Sequence, residues 1–131
     1  MTVRGSYHHV HILSRDPDAA AAWYARALGG EVGKRTEHKG GINVQVKLGE
    51  SNFFIRGLRP GESAEPPSGR AAFGVHHLGV WVDDIEATIR QFTAAGGELL
   101  DPVAIGMTGN LVAFVRGPEG VVFEFLQPPG K

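Results

Sequence analysis

Val75-His76-His77-Leu78-Gly79-Val80-Trp81-Val82-Asp83-Asp84 decides how the rest of the chain is read. In a strand, successive side chains point to opposite faces, so Leu78, Val80 and Val82 form one apolar row while His77, Gly79 and Trp81 share the other. The apolar row needs cover, and the next segment supplies it. Asp83 or Asp84 caps a helical pattern with Ile85, Thr88, Ile89 and Phe92 on one stripe, closed by Gly96-Gly97. With that helix on the apolar face, His77 is left on the far face of the sheet.

The same pattern stands earlier in the chain. Tyr7-His8-His9-Val10-His11-Ile12-Leu13-Ser14-Arg15-Asp16 has Val10 and Ile12 in its apolar row, with His9, His11 and Leu13 opposite. His9 precedes Asp16 by seven residues, as His77 precedes Asp84. That shared phase marks an internal duplication.

Reading outward, Asp16-Pro17-Asp18 caps a helix that carries Ala20, Trp23, Tyr24, Ala27 and Leu28 as a buried stripe and ends at Gly29-Gly30. A short strand is expected from Glu31 to Thr36 and a turn from Glu37 to Gly41. Strands follow over Asn43 to Leu48 and Asn52 to Arg56. The second unit repeats this order with a short strand at Glu98-Leu99-Leu100, a loop from Asp101 to Thr108, and strands over Asn110 to Val115 and Val121 to Gln127. The expected class is therefore α+β, with two tandem βαβββ modules forming a cup-shaped mixed sheet. One domain, 1–131, holds modules at about 5–57 and 74–128, joined by a Pro/Gly-rich loop over 58–73. That loop reads as a solvated connection, with a substrate-covering flap as the other reading.

The 131 residues suffice for one core, and a net charge of -1 from 13 basic and 14 acidic residues argues against nucleic acid or a charged membrane surface. The absence of cysteine removes thiol catalysis and sulfur-ligated metal. The opening Met1-Thr2-Val3-Arg4-Gly5 lacks the apolar core of a signal peptide, and no stretch approaches the ~18 apolar residues of a membrane span. A cytoplasmic protein is expected.

In the closing strand Val121, Phe123 and Phe125 form one row, and Val122, Glu124 and Leu126 the other. A bare carboxylate there costs several kcal/mol, so Glu124 must be paired, protonated or bound to something. Two histidines in matching places and this glutamate share one chemistry: imidazole nitrogen and carboxylate oxygen are ligands of divalent transition metals. His9, His77 and Glu124 are the expected metal ligands. His11, facing the same way as His9, is the candidate catalytic acid or base, an alternate ligand, or a polar lining residue. His8 and His76 read as structural groups facing the helix side, and His38 as an exposed turn residue. Gln45, Arg56, Trp81 and Asn110 are possible ligand contacts, and Asp16 and Asp84 are caps.

The two-unit pattern, the Trp23-Tyr24…Leu28-Gly29 helix ending and Gly117-Pro118-Glu119-Gly120-Val121-Val122-Phe123-Glu124 together resemble the vicinal oxygen chelate superfamily. Its members include glyoxalase I, bleomycin and fosfomycin resistance proteins, methylmalonyl-CoA epimerase and extradiol dioxygenases. The resemblance implies paired βαβββ modules around a divalent metal, often completed by dimerisation, with His9, His77 and Glu124 at three of the ligand positions. The fourth, Glu or Gln in the family, falls at Phe54, which can neither bind a metal nor move a proton. That departure argues against glyoxalase I and epimerase chemistry. It favours a two-histidine, one-carboxylate site, Fe2+ before Zn2+, Ni2+, Mn2+ or Co2+, oxygenating a small vicinally oxygenated substrate. A metal-dependent lyase or isomerase is the alternative. A second is a metal-free module that sequesters an antibiotic, to which Phe53, Phe54, Trp81 and Phe114 would contribute. The expected partners are a small-molecule substrate and a second copy in a homodimer, with the cup closing either within one chain or across two.

Overall fold

A computed structural model describes residues 3–69 and 71–130; Met1 and Thr2 of the opening and Arg70 of the connecting loop lie outside the described residues. The first repeat forms β1 (His11–Leu13), α1 (Pro17–Leu28), β2 (Glu31–His38), β3 (Gly41–Leu48) and β4 (Ser51–Arg56). The second forms β5 (Leu78–Trp81), α2 (Ile85–Ala94), β6 (Glu98–Ile105), β7 (Leu111–Arg116), a 3-10 turn at Pro118–Gly120 and β8 (Val122–Gln127). Each repeat makes its own four-stranded sheet, ordered β1-β4-β3-β2 and β5-β8-β7-β6. Both are mixed: β1 runs parallel to β4 and β5 to β8, while the other pairs are antiparallel.

The duplication is literal at the helix starts. Asp16 accepts from the Ala19 amide at 3.1 Å and Asp84 from the Ala87 amide at 3.0 Å, each satisfying an otherwise orphaned donor of the first turn. Asp84, not Asp83, is the second cap. The buried stripes are Ala20, Ala21, Tyr24 and Ala27 on α1, and Ile85, Ile89 and Phe92 on α2. The two helices pack on each other. Trp23, expected in the buried stripe, is only partly buried. Its indole N–H donates to the Ala95 carbonyl at 2.7 Å, tying α1 to the end of α2.

Tyr24, Phe53, Phe92, Phe123 and Phe125 fill one core shared by both repeats, with Tyr24 edge-on to Phe53 at 5.1 Å and to Phe123 at 5.5 Å. Burial pushes the Tyr24 phenol upward, with the nearby Glu119 charge adding to the effect. Among the described residues its hydroxyl has no hydrogen-bond partner.

A second tie joins the repeats at the surface. Glu119 sits at φ +61 in the turn before β8 and accepts from Ser14 Oγ at 3.0 Å and the Arg15 amide at 2.6 Å, while pairing with the Arg15 guanidinium.

Three sequence expectations are corrected. The loop read over Asp101 to Thr108 is largely strand, since β6 reaches Ile105. Its register breaks twice, between Leu99 and Asp101 and between Asp101 and Ala104, and it is an edge, which is where Pro102 can sit without costing a ladder bond. Glu37 and His38, read as turn, are paired with Ile42 and Gly41 in the β2-β3 hairpin. The first strand is shorter than its pattern, so His9 lies in the segment leading into it.

Between β4 and β5 the described residues form no helix or strand. Pro60 seats against Gly40 and Pro67 against Gly120. No described helix is long and apolar enough to cross a membrane.

Candidate functional site

Strand alternation separates the two faces of each sheet. Phe53 and Phe123 meet in the core at a centroid distance of 6.4 Å, so Phe54 and Glu124, one residue on, point out of the core on the other face of their sheets. On that outward face of the first sheet, His11 pairs with Phe54 and Phe54 with Gln45. At the matching places of the second sheet, Gly79 pairs with Glu124 and Glu124 with Phe114.

The second repeat brings two of the three expected ligands together. His77 Nε2 lies 3.3 Å from Glu124 Oε1, and the imidazole stands edge-on to Phe114 at 5.0 Å. The Glu124 side chain keeps 20% of its exposure, so it is neither bare nor sealed in the core. A nitrogen and an oxygen at this spacing suit neighbouring ligand positions on one ion.

His9 does not join them. Its ring contacts Phe54 at 4.9 Å and His11 at 5.2 Å. Among the described residues no group of three or more His, Asp or Glu is arranged to hold a metal ion. The reason is topological: both sheets turn their Phe53 and Phe123 sides to the common core, and the faces carrying His9 and His77 are the outward ones. One chain therefore supplies a two-donor half-site on one sheet and a lone His9 on the other. A divalent metal needing three protein ligands does not fit within a single copy.

His8 and His76 do not face the helices as expected. His8 Nδ1 lies 2.6 Å from His9 Nδ1 and His76 Nδ1 lies 2.8 Å from His77 Nδ1, so one ring of each pair donates an N–H to the other. These residues precede the first ladder pairs of their strands, where nothing enforces alternation, and in both repeats a neighbouring ring orients the candidate ligand.

His11 carries the clearest proton-transfer geometry. Its Nε2–H donates to Asn43 Oδ1 at 2.7 Å, which leaves Nδ1 with the free lone pair in the neutral ring. Phe54 stands beside it at 5.4 Å. The polar positions of the Asn43-Val44-Gln45-Val46 alternation were the available sign that Asn43 shares this face; its bond to His11, 32 residues away, had none.

Of the other expected contacts, Gln45 shares the face, accepting weakly from the Lys34 amide at 3.4 Å. Trp81 is 64% exposed on edge strand β5. Asn110 bonds Thr108 in the β6-β7 turn. Arg56 is held by Glu62, with Nη1 to Oε1 at 2.7 Å and Nη2 to Oε2 at 3.2 Å. Those bonds, with one from the Arg59 amide, hold the Glu62 carboxyl down to about 2.

Comparison with known proteins fits this frame. The family model described as Glyoxalase/Bleomycin resistance protein/Dioxygenase superfamily matches residues 6–125. An ethylmalonyl-CoA/methylmalonyl-CoA epimerase of Cereibacter sphaeroides is 34% identical over 120 residues, covering 86% of this chain and 88% of that protein. A probable chloroplastic lactoylglutathione lyase of Arabidopsis thaliana is 28% identical over 126 residues, covering 90% of this chain and 35% of that protein. Among solved structures, a glyoxalase family protein from Bacillus cereus superposes with a TM-score of 0.82 at 18% identity, covering 96% of this chain and 95% of its own. These curated relatives are an epimerase and a lyase, and neither supports oxygenation specifically. The chain belongs to the glyoxalase/bleomycin resistance protein/dioxygenase superfamily.

Proposed function

We propose that this protein is a divalent-metal-dependent enzyme that moves a proton at a carbon next to a carbonyl in a small vicinally oxygenated substrate. It works as a homodimer in which His9 of one copy meets the His77 and Glu124 of another. The reading rests on one observation, the approach of His77 to Glu124 at 3.3 Å on an outward face whose counterpart carries His9. Edge strands β1 and β5, each hydrogen-bonded on one side within its sheet, expose Leu13 and Trp81 toward such a partner.

A metal bound there would polarise a carbonyl oxygen and lower the pKa of the adjacent C–H. The chain's own residues supply the rest. Asn43 fixes the His11 tautomer, so Nδ1 is the atom that accepts the proton and later returns it. Phe54 excludes water beside that nitrogen without competing as a ligand. His8 and His76 hold the second nitrogen of His9 and His77.

Oxygenation is the second reading, favoured by Phe54, which leaves three protein ligands and an open coordination sphere. Metal analysis of protein purified without added metal or chelator tests the assembly. The expected result is a stoichiometric transition metal, lost in His9→Ala and in His77→Ala. Refolding the two variants together restores one intact site per heterodimer. A mixture as empty as its components overturns the shared site. A metal-free wild type that binds planar drugs tightly indicates the sequestering module instead. Oxygen uptake with catechol after ferrous loading replaces proton transfer by oxygenation.

A further inference from the structure

Beside the proton-transfer face lies a cavity of about 320 Å³ at the turn end of the β2-β3 hairpin, lined by His11, Thr36, His38, Asn43, Arg56 and Arg59 among others. Its charge balance is uneven. Arg56 is spent on Glu62, which also accepts from the Arg59 amide at 2.7 Å and so folds the loop back on itself. Arg59, by contrast, makes no close ion pair among the described residues, and its guanidinium charge acts on Glu62 only through space. Its stem rests on Gly41, where an added Cβ would lie 3.0 Å from Arg59 Cγ, and Pro60 seats against Gly40. The loop is thus pinned on both sides of a guanidinium that no carboxylate holds by a close ion pair among the described residues. Glu37 also borders the cavity, yet it is the neighbour of Thr36 on β2, pairs with Ile42 and points to the opposite face by alternation.

The geometry points to an anion subsite: Arg59, with the His38 imidazole, the Asn43 side-chain NH2 and the Thr36 hydroxyl, binds a carboxylate or phosphate group of the substrate. A planar guanidinium donates two parallel N–H bonds to such a group, and the neutral donors around it complete the oxygens. His11 is the shared wall between this subsite and His9, their ring centroids 5.2 Å apart. The inference deepens the proposed function by naming the substrate class: a molecule with an anionic oxyacid group a few bonds from the carbon that gives up its proton.

Malonate and inorganic phosphate, titrated separately into the full chain and followed by backbone amide NMR, test it. The titrations are run on protein as purified and again after chelator treatment. Saturable shifts are expected at residues 36–43 and 57–62 in both preparations, tighter for malonate if the group is a carboxylate and tighter for phosphate if it is a phosphate. Arg59→Ala weakens binding about tenfold, the loss of one charge-assisted contact, and Arg59→Lys recovers part of it. Lys34→Ala removes the same charge elsewhere on β2 and leaves binding unchanged. No saturable shift in the wild type, an unaltered Arg59→Ala, or an equal loss in Lys34→Ala overturns the subsite. Because chelator-treated protein is included, that failure leaves the metal reading standing, and loss of the metal reading leaves the subsite standing.

Discussion

The two repeats use the same backbone for different ends. At the paired outward positions, the first carries Gln45 and Phe54 where the second carries Phe114 and Glu124, so each has one aromatic and one polar group but on exchanged strands. Beside them the first places His11 where the second has Gly79. Under the proposed function, this difference gives the second repeat the ligand pair His77 and Glu124, and the first repeat the proton-accepting His11 and the anion subsite. Duplication placed His9 and His77 in matching phase, and what differs is their neighbours.

The sharpest break of the comparison is at the helix ends. Gly29 caps α1 directly and Gly97 leads from α2 into β6, and each is glycine for a different reason. Gly29 needs its φ of +67 and has open space around it, whereas a Cβ on Gly97 would overlap Cδ1 and Cε1 of the buried Phe92 and lie 2.9 Å from its carbonyl oxygen. Gly97→Ala is expected to cost about 3 kcal/mol in urea unfolding, since the core cannot yield around Phe92. Gly29→Ala should cost about 1 kcal/mol, the penalty of a left-handed cap without glycine. Equal losses would mean the two sites answer to one constraint.

A smaller effect is expected inside the core. Tyr24 and Phe92 are equivalent, but only Tyr24 buries a hydroxyl, and it finds no partner among the described residues. Tyr24→Phe should leave stability unchanged or raise it by up to about 1 kcal/mol in the same assay. A clear loss would show that the hydroxyl is bonded in solution.

The smallest effect is local. Arg56 of the first repeat stands where the second has Leu126, and Arg56 anchors the loop that follows β4 through Glu62. The folded Glu62 carboxyl is depressed, so its bond is complete above the ordinary glutamate range and is lost as pH falls through about 2. Carboxyl-carbon NMR should follow that titration. Arg56→Leu, which makes the first repeat resemble the second, should return Glu62 to the usual carboxylate range.

Much of the scaffold was legible because it rests on local periodicity. The phase of His9 to Asp16 and His77 to Asp84, the two capped helices and the alternation in β8 each depend on residues a few positions apart. β6 departs from the loop that Pro102 predicts because a breaker in isolation is tolerated on an irregular edge strand. His8 and His76 depart from alternation for the complementary reason: no ladder imposes it where they stand.

By itself, the sequence determined the duplicated architecture, the superfamily and the kind of atoms offered to a ligand, since covalent order and side-chain chemistry carry that information. Tertiary structure alone decided which groups meet. Joining Asn43 to His11, Glu119 to Arg15 and His77 to Glu124 spans 32, 104 and 47 residues, distances over which periodicity says nothing. It also turned the His9 and His77 faces outward from a shared core, because Tyr24, Phe53 and Phe123 gain more by packing together than the two sheets could by closing over a polar site.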